Sequence, residues 1–366
     1  MTAAPLIVGA GPTGLAAALF LSHRGIAARI VDAADKPATT SKALGVNPRT
    51  MAILKGTGVD EAIAAEGLPM RFLNAHQGGR RLARLEIPVK QVGAAWPMII
   101  LPQARTEALL TQALAGRGIK VERGKALTGL VQDGRSVAAS LGAEVAEAPI
   151  LLGADGAHSP VRHALGVDFA GSAFPETWQI IDVELEGPEV TEAWANFRPA
   201  GPFVALPFNA RLWRLIGFGP PLLENLPKGW TAGKVAWVSE FHVSHRVASA
   251  FNVGRVCLAG DAAHIHSPIG ARGMNLGIED AWVWAACAEA FLKGESGKLA
   301  AYGESRRHFD FGVVKRVERL TNGVRARGPL AAALRPIILP LVAAVPPLRN
   351  ALLRQAIGLD HPLVIP

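Results

Sequence analysis

The chain has 366 residues, half of them apolar, which is enough for two or three domains' worth of core and marks a globular protein. Its formal net charge is +8, but the basic residues are scattered, and the absence of a Lys/Arg-rich run with interleaved aromatics argues against nucleic-acid binding. Cys257 and Cys287 sit in apolar runs without disulfide or metal-ligand spacing, and a strand begins almost at once, so the expectation is a cytoplasmic chain with no secretory signal.

Leu6-Ile7-Val8 reads as a short strand, followed by Gly9-Ala10-Gly11-Pro12-Thr13-Gly14 and a periodic helical run from Leu15 to Ser22. Gly-x-Gly-x-x-Gly between a strand and a helix is the dinucleotide fingerprint: one glycine for the turn, one for close approach to a pyrophosphate, one for helix–strand packing. The next strand, Ala28 to Val31, ends in Asp32, placed to bind a ribose hydroxyl. Residues 48–56 predict a helix capped by Asn47 with Pro48 at its first position. Gln103 leads into a helix at 105–115, and Lys120 to Glu122 returns as a strand. Short alternating runs from 125 to 152, divided by Asp133-Gly134 and Gly142, predict a β-meander.

Residues 170–250 hold Trp178, Trp194, Trp213, Trp230 and Trp237, five of eight tryptophans, among strand-length runs of Val, Ile and Phe. They predict an antiparallel sheet covering a substrate. The stretch from Arg255 to Ala281 reads as a buried strand, a turn at Gly260-Asp261, a loop with Pro268, Gly270 and Gly273, and a helix start. A strand-end carboxylate can accept hydrogen bonds from sugar hydroxyls, and helix-start amides can face negative charge. Residues 274–324 predict helix. The apolar run Leu330 to Leu348 is interrupted by Pro336, Pro340, Pro346 and Pro347, so a bent helix pair packed on the body is expected ahead of peripheral membrane contact or a true span.

A third segment follows the strand Ile150 to Leu152: Gly153-Ala154-Asp155-Gly156-Ala157-His158-Ser159-Pro160-Val161-Arg162. Together the Gly-x-Gly-x-x-Gly, the Asp-Gly at 155–156 and the Gly-Asp at 260–261 resemble the three signatures of the group A flavoprotein monooxygenases, the single-component FAD-dependent aromatic hydroxylases similar to p-hydroxybenzoate hydroxylase. Ser41-Lys42-Ala43, Asn47-Pro48-Arg49-Thr50 and Gln103-x-x-x-Glu107 match as well, and the resemblance spans roughly residues 5–325.

The resemblance implies an α/β fold: a Rossmann-like FAD-binding domain, an antiparallel-sheet substrate domain and a C-terminal helical segment. The expected division is 1–169 for the first part of the FAD domain, 170–250 for the sheet, 251–325 for the FAD domain's return, and 326–366 for the tail. It further implies that Gly9, Gly11 and Gly14 hold the FAD pyrophosphate and Asp32 the adenosine ribose. Lys42 stands where the family usually has arginine, a weaker contact because lysine lacks the bidentate fork. Gln103 would reach the ribityl chain, Leu127 the adenine, Asp155 both FAD and passing NAD(P)H, and Asp261 the ribityl part. Pro268 would border the reactive face, and Gly273, Met274 and Asn275 would turn helix-start amides to the pyrimidine edge. The implied reaction is reduction by a transient NAD(P)H, addition of dioxygen to give a flavin C4a-hydroperoxide, and hydroxylation of an aromatic or other electron-rich small molecule.

Other features have plainer readings. One Gly-x-Gly-x-x-Gly leaves no second Rossmann domain, and Trp282-Val283-Trp284-Ala285-Ala286 lacks the halogenase signature. His264 and His266 share a strand face, but no cysteine or carboxylate completes a metal site with them, so no metal is expected. His242 and His245 could assist deprotonation, but a capping role ahead of Arg246 is favoured. Arg198 and Arg211 are expected at the surface, while Arg214, between Trp213 and Leu215, is an even candidate for pointing towards the flavin. The tryptophans are expected in the core rather than as a substrate platform. The rivals are a membrane-peripheral quinone-precursor hydroxylase and a non-catalytic FAD- or ligand-binding protein. The expected assembly is a monomer or homodimer.

Overall fold

A computed structural model describes residues 4–39, 43–87, 94–219, 221–224 and 226–366. Its helices in chain order are α1 (Pro12–His23), α2 (Pro48–Leu54), α3 (Val59–Glu66), α4 (Gln103–Ala115), α5 (Pro160–Ala164), α6 (Gly273–Leu292), α7 (Lys298–Arg325), α8 (Pro329–Ala344) and α9 (Pro346–Ala356).

Leu6–Val8 is the central strand of a six-stranded sheet, parallel to Arg29–Val31 on one side and to Leu151–Gly153 on the other. Val121–Glu122 and Val256–Leu258 extend it in parallel, and Asn252–Val253 closes one edge antiparallel. The register aligns Leu6 with Leu151 and Leu151 with Val256, so the ends of all three motif-bearing strands lie at one edge. That edge, where strand order reverses, is where open α/β sheets take ligands. α1 begins at Pro12, whose fixed φ suits a first turn. Its Thr13–Leu21 run is buried on every side, as expected of a helix clasped between the sheet and α6.

The second sheet has eight strands in the order His264–Ile265, Thr231–Ala248, Phe169–Glu186, Leu212–Phe218, Phe203–Pro207, Glu192–Phe197, Phe72–Gln77 and Arg80–Glu86. Five of the eight lie within the tryptophan-rich region, much as the sequence suggests. Phe72–Gln77 and Arg80–Glu86 come from a stretch with no sequence reading, and Phe72–Gln77 joins parallel to Glu192–Phe197. The sheet therefore exceeds the expected 170–250 segment at both ends. Trp178 and Trp213 are fully buried, in line with a core role. The meander is present as Leu127–Gln132, Val137–Leu141 and Glu144–Ala148. Gly45–Val46, Met98–Ile100 and Leu68–Met70 form a separate three-stranded sheet.

The helix expected at 48–56 is α2, with Asn47 accepting from the Thr50 amide at 2.9 Å, and the helical reading of 274–324 resolves into α6 and α7. The tail forms the expected helix pair, with α8 laid against Arg80–Glu86 by one face only. α9 buries Leu353, but α8 has no buried residue, and its Leu330, Leu334, Ile337, Ile338 and Leu341 are exposed. Among the described residues, no single helix is long and apolar enough to cross a membrane.

Candidate active site

Between the two sheets lies a cavity of about 960 Å³. Its lining draws on all three motif segments, on Ala126 and Leu127 at the start of the meander, and on Ile180, Leu206, Ile216, Phe241 and Val243 of the large sheet.

The nucleotide end is made of backbone. Gly9 has φ +105°, and a Cβ there would stand 2.2 Å from the Ala154 carbonyl oxygen, so this crossing of two strand ends demands glycine. A Cβ on Gly14 would meet the Gly9 carbonyl at 1.9 Å. Gly14 thus sets helix–strand packing and is absent from the cavity lining, which corrects its expected pyrophosphate contact. At Gly11 and Gly273, which do line the cavity, a Cβ would meet nothing within 4 Å, so both leave room for a bound group rather than for packing. α1 starts there without a side-chain cap or an acid in its first turn, and α6 likewise. Two sets of unsatisfied amides and two positive dipole ends therefore face one space, suited to a diphosphate and to an anionic ring edge.

Carboxylates sit at the strand ends. Asp32 accepts from the Ala10 amide at 2.6 Å and the Ala34 amide at 2.8 Å, and Arg123 stands 3.7 Å away. Fixed this way, it keeps acceptor capacity for a hydroxyl. Asp155 accepts from the Ser159 hydroxyl and from the Val161 amide at 3.0 Å, and burial pushes its carboxyl above the usual range against those bonds. Asp261 lies in a one-turn 3-10 helix, Gly260–Ala262, and also lines the cavity. Gln103 lines it as the first residue of α4, bonded to Glu107 at 2.8 Å and accepting from the Ala43 amide at 3.4 Å. Lys42 lies outside the described residues, next to Ala43 and Leu44, which line the cavity.

Pro268, Gly273 and Met274 border the cavity. Asn275 does not: its amide nitrogen donates to the Gly45 and Ala271 carbonyls at 2.8 and 2.7 Å, and its oxygen accepts from the Asn47 amide at 2.9 Å. Its side chain pins the start of α6 to the strand before α2, which leaves the expected role of its main-chain amide untouched. Arg214 is the second correction. It is 1% exposed and bonded to Asp182 through two contacts of 2.7 Å, so its charge is neutralised inside the sheet and it does not line the cavity. The cause is the facing strand: Asp182 is the cross-strand partner of Arg214, a pairing that adjacent sequence does not reveal.

Arg198 donates to a cage of carbonyls including Gly201, Pro221 and Gly219. His245, expected as a cap, accepts from the Ser267 amide at 3.3 Å, tying the long strand to the Pro268 loop, whereas His242 lines the cavity. His264, Asp280 and Asp310 bring ligand-type atoms within 4.8 Å of one another, but Arg306 donates to Asp280 at 2.7 Å and to Asp310 at 2.6 Å. A guanidinium already fills the cationic role there.

Several contributors escaped the sequence reading. Asp280 accepts from the Gly260 amide at 2.9 Å and shapes the Gly-Asp turn from 20 residues downstream. Thr13 packs so closely that a Cβ on Gly260 or Gly277 would fall 2.5 or 2.2 Å from its hydroxyl. Arg162, 3% exposed and set 4.0 Å over the Phe169 ring, also lines the cavity. Its buried position at the third motif was the available signal.

The sequence profile of the FAD binding domain matches residues 2–220 and 222–317. The 6-methylpretetramide 4-monooxygenase of Streptomyces rimosus is 33% identical over 370 residues, covering 94% of this chain and 66% of that enzyme. A flavin-dependent monooxygenase of Mycobacteroides abscessus is 32% identical over 339 residues, covering 82% of this chain and 70% of that one. Among solved structures, the anhydrotetracycline hydroxylase of Streptomyces rimosus is 29% identical, with a TM-score of 0.79 over 99% of this chain and 77% of that one. The p-nitrophenol 4-monooxygenase of Pseudomonas putida shares the fold, with a TM-score of 0.88 over 99% of both chains at 22% identity. The chain thus spans about two thirds of the length of the curated relatives it matches. With a glycine cradle, two uncapped helix starts and three strand-end carboxylates around one cavity, and a profile that runs from the first strand into α7, this chain belongs to the FAD binding domain family, and FAD is its cofactor.

Proposed function

We propose that the protein is an NAD(P)H- and FAD-dependent monooxygenase that hydroxylates an aromatic or other electron-rich small molecule. The observation that carries this reading is the shared cavity, in which a cradle suited to a dinucleotide opens directly onto an apolar sheet face. Bound FAD supplies electron transfer from NAD(P)H and activation of dioxygen.

The chain's own residues do the rest. Gly11 and the first amides of α1 hold the diphosphate, while Asp32 accepts from the adenosine ribose and Leu127 borders the adenine. Gln103 and Asp261 orient the ribityl chain. Pro268 closes one side of the ring space, and the Gly273 and Met274 amides at the uncapped start of α6 stabilise negative charge at the ring edge. Asp155 lines the cavity together with His158 and Arg162, a group suited to a dinucleotide that visits and leaves. Ile180, Leu206, Ile216, Phe241 and Val243 exclude water from the reacting centre. Arg214 is already neutralised by Asp182, so a substrate carboxylate would have to meet other lining cations such as Arg246. Relatives named for 6-methylpretetramide and anhydrotetracycline support an aromatic substrate. The buried free thiols of Cys257 and Cys287, pushed up to about 12 and 11 by burial, support a cytoplasmic setting.

The test is a screen of aromatic compounds against the purified yellow protein, following NAD(P)H oxidation, oxygen uptake and product mass. At least one aromatic should accelerate NAD(P)H consumption and gain one oxygen atom. A protein that binds FAD tightly but yields no hydroxylated product with any aromatic would refute catalysis and leave a binding protein.

A further inference from the structure

We propose that the carboxy-terminal segment Gln355–His361 is a strap that fastens the flavin-facing loop Pro268–Arg272, with Asp360 as a positioning residue and Arg272 as its handle. The proposal rests on the reading of this cavity as the FAD site.

The loop needs fastening. Gly270 has φ +91°, and Ala271, at φ +51°, is the non-glycine residue in the left-handed region among the described residues. The Ala271 amide donates back to the Pro268 carbonyl at 3.0 Å, closing a tight turn. A left-handed alanine is strained and persists only where its surroundings over-determine it. One anchor is Asn275, holding the Ala271 carbonyl at 2.7 Å. The other anchor is Arg272, 1% exposed, which donates to the Gln355 carbonyl at 2.8 Å and to Asp360 at 2.6 Å.

The strap is itself tied down on three sides. The second oxygen of Asp360 accepts from Arg316 on α7 at 2.7 Å. His361 bonds Glu279 of α6 at 2.7 Å, and Arg49 of α2 donates to the His361 carbonyl. Burial alone would push the Asp360 carboxyl up, but His361 and Arg272 hold it below its ordinary range, so it stays charged. Arg272 lines the cavity, so Asp360 also sets how much positive charge the ring space feels. These strap residues lie beyond residue 317, where the family match ends.

The experiment uses the FAD-loaded full chain. Asp360→Asn keeps shape and removes charge. It should raise the FAD dissociation constant about tenfold and move the flavin midpoint potential about 30 mV positive, a tenfold shift towards the reduced anion for a two-electron couple. Asp360→Glu should return both towards wild type. Arg316→Gln cuts the other ion pair of Asp360 and should leave the potential in place. An unmoved potential in Asp360→Asn, or an equal shift in Arg316→Gln, overturns the strap. Should Asp360→Asn fail to fold, Arg272→Gln decides: it must move the potential negative, and no change overturns the proposal. A wild-type chain that takes up no FAD removes the cofactor reading and the strap with it; a wild type that binds FAD beside an unresponsive Asp360→Asn removes the strap alone.

Discussion

The two halves of the cavity are made of different material. The nucleotide half is built from main chain: glycines, helix-start amides and carboxylates fixed at strand ends. The sheet half is built from side chains on long strands, with Ile180, Leu206 and Ile216 in the lining and Arg214 withdrawn into a pair with Asp182. Main-chain sites demand residue types at fixed spacing, because only glycine tolerates the required approach. Side-chain sites demand only a face, which many residues can supply.

The sharpest break of the comparison is therefore on the main-chain side. Gly9→Ala would place a Cβ 2.2 Å from the Ala154 carbonyl oxygen at a φ of +105°, so the strand ends must part. The expected outcome is loss of bound flavin together with a large fall in melting temperature. Gly11→Ala adds the same methyl to open cavity, with nothing within 4 Å. That variant should melt like the wild-type apoprotein and still lose FAD affinity by about tenfold or more, read by flavin fluorescence titration. Equal melting losses in the two variants would mean that Gly11 is a packing glycine and not part of a cradle.

On the side-chain half, the largest effect should come from the buried pair. Asp182 is 6% exposed and Arg214 1%, and deleting one partner strands a buried charge at a cost of about 3–5 kcal/mol. Asp182→Leu alone should fall in that range by denaturant titration. Asp182→Leu combined with Arg214→Met should recover most of the loss. A double variant as unstable as the single one would show that the arginine acts through contacts other than its charge.

This contrast explains how much was legible beforehand. The strand, turn and helix at 6–22, the Asn47 cap and the Gly-Asp turn are local, and each follows from neighbours within a few residues. What escaped is mostly long-range: the side chain of Asn275 is claimed by Gly45 and Asn47, and Arg214 is claimed by a strand 32 residues away, while Gly14 serves the local helix–strand packing that its motif also allows. The parallel addition of Phe72–Gln77 to the large sheet and the reach of Asp360 to Arg272 carry no local signature either.

His266 sits where the two halves meet, and its response to pH offers a smaller test. Burial holds its imidazole neutral, pushed down to about 3, and one ring nitrogen bonds the Ser267 carbonyl at 2.8 Å. Unfolding returns the ring to an ordinary value near 6.5, so between about pH 6.5 and 3 the unfolded chain binds the extra proton. Stability is therefore lost as pH falls through that window, by on the order of a few kcal/mol from this group. His266→Phe should flatten that part of the stability curve relative to wild type while leaving the carboxylate-driven loss in place. Parallel curves for the two proteins would place the imidazole in water.

The smallest effect should come from the tail, where α8 meets the body by one face and leaves the other open. The apolar run at 330–348 reads as a packed element, yet Ile337 is 65% exposed and Leu330 72%. An exposed leucine or isoleucine contributes little to the core, because almost no apolar area leaves water when the chain folds. Ile337→Ser should therefore shift stability by no more than about 0.5 kcal/mol, where a buried isoleucine such as Ile180 should cost several times that on truncation to alanine. A loss of 2 kcal/mol or more at Ile337 would mean that this face of α8 is covered in solution. α8 rests on Arg80–Glu86 by its other face, where Gln77 donates to the Ala332 carbonyl at 2.8 Å and Ala343 packs beside the cluster around Leu353, so the exposed stripe is the side turned from the body and its truncation uncovers nothing.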